Sequence, residues 1–96
     1  MSDAITKAVE ALNEKLGGAG FDGVAKFVLD GVGAIVVDGS GARVGDDEAD
    51  VTLTAAPEVF EAMLGGELNP TSAFMSGKLA VDGDMGAAMR LGAMLA

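Results

Sequence analysis

A chain of 96 residues has room for one domain over 1–96 with one modest core, and no composition shift marks a linker. Six Lys and Arg against fifteen Asp and Glu leave a formal charge of -9, which repels nucleic-acid phosphates and anionic headgroups alike. Without Cys or His there is no thiolate, no disulfide, no imidazole base and no imidazole metal ligand.

The first segment reads as a helix. Ser2 or Asp3 can cap it, and Ile5, Ala8, Val9, Leu12 and Leu16 recur at three- and four-residue steps. Gly17-Gly18 ends it through the left-handed conformation open to glycine. From Val24 the period shortens to that of strands. Val24–Leu29 and Gly33–Val37 are β-branched and aromatic runs parted by Asp30-Gly31, a hairpin signal. Asp38-Gly39-Ser40-Gly41 turns the chain into a short strand at Ala42–Val44, and Asp46-Asp47-Glu48 marks an exposed loop.

Asp50–Thr54 alternates polar and apolar residues, as a half-buried strand does. Pro57 suits the first position of a helix carrying Val59, Phe60, Met63 and Leu64, which Gly65-Gly66 ends. Asn69-Pro70 turns into one or two helical turns over Thr71–Ser76. Lys78–Asp82 alternates as a last strand, and Asp84 is placed to cap a helix from Met85 onward. Strands joined by tight turns, with helices gathered to one side, predict an α+β layer fold.

The motif matches weaken on inspection. Gly18-Ala19-Gly20-Phe21-Asp22-Gly23 fits GxGxxG but follows a helix and precedes a strand, the reverse of the dinucleotide-binding context. Asp82-Gly83-Asp84 and Asp46–Asp50 offer hard oxygen donors, yet neither completes a calcium loop, so no metal site is expected. Asp30, Asp38, Asp50 and Asp82 all suit turns or strand edges, and no Ser has a visible partner base. No catalytic residue and no cofactor site is expected.

The surplus lies in the last third. After the initiator, every Met falls between Met63 and Met94, and Met85–Ala96 is apolar nearly all round the helix, with Arg90 its one charge. Such a helix must be covered on more than one side, by the core and by something else. It is too short to cross a bilayer, and the N-terminus lacks the apolar run of a signal peptide. A soluble cytoplasmic protein is therefore expected. Three covers remain open: an apolar ligand under the helix, a membrane, or a protein-interaction surface that meets another protein or a second copy of the chain as a homodimer.

The residues Ala49-Asp50-Val51-Thr52, then Asn69-Pro70 with Ala73-Phe74, Gly77-Lys78-Leu79, Gly83-Asp84-Met85 and Ala88-Met89, resemble the sterol carrier protein type 2 family in order and spacing. The resemblance implies a five-stranded, mostly antiparallel sheet covered by helices, with an apolar tunnel between them. It implies a non-catalytic carrier of fatty acids, fatty acyl-CoA or sterols. On that reading Phe60, Met63, Leu64, Phe74, Met75, Met85, Met89 and Met94 line the cavity. Ser76 is the polar contact, where relatives often carry Gln, and Arg90 meets an anionic head at the mouth. The acidic balance argues for transient membrane contact at most.

Overall fold

The computed structural model describes residues 3–18 and 20–95. The cap expected at Ser2, Ala19 of the glycine-rich run and Ala96 lie outside the described residues. The elements follow the expected order: α1 (Asp3–Leu16), β1 (Ala25–Leu29), β2 (Gly33–Asp38), β3 (Gly41–Val44), β4 (Val51–Ala55), α2 (Pro57–Leu64), α3 (Pro70–Met75), β5 (Leu79–Gly83) and α4 (Met85–Leu95). Pro57 and Pro70 open α2 and α3, where a missing N–H costs nothing.

The five strands form one sheet in the order β3-β2-β1-β4-β5. Three pairings are antiparallel, but β1 and β4 run parallel, with Phe27 opposite Leu53. The tight turns at Asp30-Gly31 and Asp38–Gly41 do give antiparallel hairpins. At the second, Asp38 accepts hydrogen bonds from Arg43 Nη1 at 2.8 Å and from the Ser40 amide at 2.9 Å. The guanidinium foremost, then that amide, hold the Asp38 carboxyl below its usual range.

Alternation sets the two faces. Ala25, Phe27 and Leu29, with Val51, Leu53 and Ala55, point to the helices and are buried. Lys26, Thr52 and Thr54 point outward. Residues 45–50 must pass from the β3 edge to β4 on the far side of β1, so they strap across this outer face. Under the strap, Val36 is fully buried apart from the main core, and Lys26 Nζ meets Asp46 Oδ1 at 2.9 Å. That strap is what allows β1 and β4 to be parallel neighbours.

On the inner face, Leu12 and Leu16 of α1, Phe60 and Met63 of α2, Ala73 of α3, and Ala87 and Leu91 of α4 close one core over the sheet. Phe27 and Phe60 meet edge to face with centroids 5.2 Å apart. Asn13 of α1 pairs its amide with both backbone groups of Ala42, at 2.8 and 2.9 Å, so it seats the helix on the edge strand.

Asp50 fastens three strands. Its amide and its carboxylate bond the carbonyl and amide of Val24 at 2.8 and 3.1 Å, and its carbonyl accepts from Asp84 at 2.9 Å. Gly83 lies against that carbonyl with φ +110, and a Cβ there would run into the Asp50 backbone. Gly83→Ala is therefore expected to cost at least about 2 kcal/mol, from positive-φ strain plus the clash. A thermal unfolding curve unchanged by the substitution would contradict this account.

Candidate functional site

The outer edge of α3 and α4 stands away from β4 and β5, and a cavity of about 440 Å³ opens between them. Its floor is the inner face of the sheet: Phe27, Leu53, Leu79 and Val81. Met63 of α2 forms the inner wall. The Asn69-Pro70-Thr71 entry to α3, with Phe74 and Met75, makes one side, and α4 makes the other through Met85, Ala88, Met89, Leu91, Gly92 and Ala93.

Each wall is held by its own cap. Asn69 Oδ1 accepts from the Thr71 amide at 2.8 Å and starts α3. Asp84 Oδ1 accepts from the Gly86 amide at 2.9 Å and starts α4 just after the Asp50–Gly83 junction. Several residues that carry the family resemblance thus hold the walls, and they do not themselves all face the cavity. Helical geometry then divides α4. Ala87, Leu91 and the half-buried Met94 face the core, while Met85, Met89 and Ala93 face the opening.

Of the lining side chains only Asn69 and Thr71 are polar, and none is charged. The rim is apolar and wet at once: Met75 and Met89 are 80% and 74% exposed, with Phe74 and Met85 beside them. A cluster of large exposed apolar groups around one opening marks a binding surface, because scattered exposure is the ordinary condition.

Among the expected site residues, the structure brings Met63, Phe74, Met75, Met85 and Met89 together on this cavity. It does not bring Phe60, Leu64, Ser76, Arg90 or Met94 to the lining. Phe60 and Leu64, four apart, look instead into a recess between α2 and α1 beside Lys7 and Ala8. One residue of helical rotation, about 100°, separates Leu64 from Met63 and sends them to different spaces. Met94 packs against the core.

Ser76 ends α3, exposed, with its hydroxyl donating to the Ala73 carbonyl at 3.2 Å. Arg90 leaves the third side of α4. Its Nη2 donates to the Asp22 carbonyl at 3.3 Å, and the guanidinium lies 5.8 Å from the centre of the Phe21 ring. That cation ties α4 to the connection preceding β1. Leu53, Leu79 and Val81 were not among the expected site residues, although strand alternation already sets them on one face. Phe27 becomes cavity floor only through its pairing with β4.

Among the described residues no group of three acidic side chains comes together to hold a metal ion, and no helix is long and apolar enough to cross a membrane.

Residues 6–96 match the model of the SCP-2 sterol transfer family. Hydroxysteroid dehydrogenase-like protein 2 of Danio rerio is 53% identical over 49 residues, which are 51% of this chain and 12% of that protein. Sterol carrier protein 2 of Homo sapiens is 50% identical over 46 residues, 48% of this chain and 8% of the relative. The chain thus matches a small part of these much longer proteins. The crystal structure of sterol carrier protein 2 like 2 from Aedes aegypti superposes with a TM-score of 0.79 at 23% identity, covering 95% of each chain. The solution structure of sterol carrier protein 2 from Aedes aegypti, in complex with the C16 fatty acid palmitate, gives 0.77 at 24% identity over 100% of this chain and 97% of the other. These superpositions establish a shared fold.

Proposed function

The chain belongs to the SCP-2 sterol transfer family, and from that premise we propose that it is a lipid carrier with no catalytic step, holding one acyl chain or sterol-like body in the cavity over β4 and β5. The observation that carries the reading is an apolar cavity of about 440 Å³ whose lining holds no charge and whose rim is exposed methionine. Ligand sites of roughly 300–1,000 Å³ with a few placed polar groups suit molecules of this size. Methionine, flexible and polarisable, suits a wall that adapts to chains of differing shape. Palmitate in the Aedes aegypti neighbour supports the same class of occupant.

The lining chemistry favours a chain inside with its head at the opening, near Asn69 and Thr71, the two lining side chains able to hydrogen-bond. A carboxylate or phosphate drawn deeper would lose its hydration with no cation to meet it. The net charge of -9 favours brief contact with weakly charged membranes over lasting adhesion to anionic ones, and we place the carrier in the cytoplasm.

Native mass spectrometry of the purified protein, followed by titration with a fluorescent fatty acid, tests the reading. Saturable binding at one site per chain is expected, and no binding of fatty acid, acyl-CoA or sterol would overturn it. Arg90→Ala is expected to weaken an anionic and an uncharged lipid equally and slightly. A loss confined to the anionic lipid would return the guanidinium to the site. The exposed Met75 and Met89 also favour a second reading, in which two copies cover each other's rims. Sedimentation showing a dimer that lipid does not dissociate would support that reading over the carrier.

A further inference from the structure

Oxidisable sulfur in this chain is methionine alone, since there is no Cys, and three of its thioethers stand in one place. Met75, Met89 and Met85 are 80%, 74% and 46% exposed, and all three border the cavity. Met63, on the inner wall of the same cavity, is 1% exposed. Solvent peroxide therefore meets the rim sulfurs first and the wall sulfur last.

We propose that Met75, Met85 and Met89 are a peroxide-sensitive modification site whose oxidation to sulfoxide switches off ligand binding; this rests on the carrier reading. In each step the sulfur lone pair attacks one oxygen of hydrogen peroxide. The O–O bond breaks as the S–O bond forms, and the proton on the transferred oxygen passes to the departing hydroxide, which leaves as water. Sulfur loses two electrons and the peroxide gains them.

The product is a polar, chiral side chain where a flexible apolar one stood. A lipid chain entering the cavity now has to strip water from up to three sulfoxide oxygens, and the lining offers them few donors in exchange. The core keeps Met63 as thioether, so the fold survives and only the opening changes character. Because the modified groups face solvent, a thiol-dependent sulfoxide reductase can reach them and restore the carrier, two thiols closing to a disulfide as the oxygen leaves as water.

The test uses the whole chain, hydrogen peroxide, a fluorescent fatty acid and peptide mass mapping. Oxygen is expected to add at Met75, Met85 and Met89 before Met63. Affinity should fall at least about tenfold with circular dichroism unchanged, and reductase treatment should restore it. The variant carrying Met75→Leu, Met85→Leu and Met89→Leu keeps similar volume; whatever affinity it starts from, that affinity is expected to stay within about twofold on peroxide treatment. Should it fail to fold, each single variant is expected to blunt the loss. Binding that survives full oxidation of the three, or a loss that appears only with Met63 oxidation and unfolding, overturns the switch and leaves the carrier reading standing. Absence of binding before peroxide overturns both.

Discussion

Ala88→Phe is expected to weaken fatty-acid binding by roughly a hundredfold while the chain remains folded. Ala88 is a half-buried residue of α4 that lines the cavity over the sheet. Six added ring carbons take the place of about four ligand methylenes, each worth about 0.8 kcal/mol when buried, and about 3 kcal/mol is about a hundredfold in affinity. Adding bulk to a filled core costs stability, but here the ring enters empty space and its own burial offsets the strain. Titration with the fluorescent fatty acid reads the affinity, and thermal unfolding reads the fold. A variant of normal stability and unchanged affinity would show that the ligand lies elsewhere, the recess of Phe60 and Leu64 being the next place to look.

Phe27→Ala is expected to be the most damaging single truncation for stability, at about 3–5 kcal/mol. Phe27 is 1% exposed on the central strand, between Ile35 on one side and Leu53 on the other, with the Phe60 ring against its own. A domain of this size is worth about 5–15 kcal/mol in all, so the melting temperature should fall by roughly 15 °C or more. Phe27→Leu should cost under about 1.5 kcal/mol, because it keeps most of the volume. Since Phe27 is also cavity floor, saturating fatty acid should recover part of the loss by mass action. A loss below about 1 kcal/mol, read by urea unfolding, would mean that the core closes without this ring.

Every element of the fold and most of the rim could be read from local pattern. Strand alternation in Val51–Ala55, Pro57 at a helix start, Asp84 as a cap and the left-handed glycines after α1 are properties of a few neighbouring residues. Local sterics and hydrogen bonding act on such segments whatever the rest of the chain does. The surplus methionines of the last third were legible for the same reason, since an α-helix apolar on several sides cannot be satisfied by one core.

Tertiary structure decided what those surfaces meet. The parallel neighbours β1 and β4 arise because residues 45–50 strap the outer face, and only that pairing puts Phe27 beside Leu53 under the cavity. Met63 and Leu64 are adjacent and equally apolar, yet the rotation of α2 sends one to the cavity and the other toward α1. Arg90 is held by the Asp22 carbonyl and the Phe21 ring, partners remote in sequence that no periodicity could indicate. Local pattern says which side of an element avoids water. The assembled packing alone determines whether that side closes on core or on space for a ligand, because many arrangements bury the same residues and only one minimises voids, strain and unpaired polar groups together.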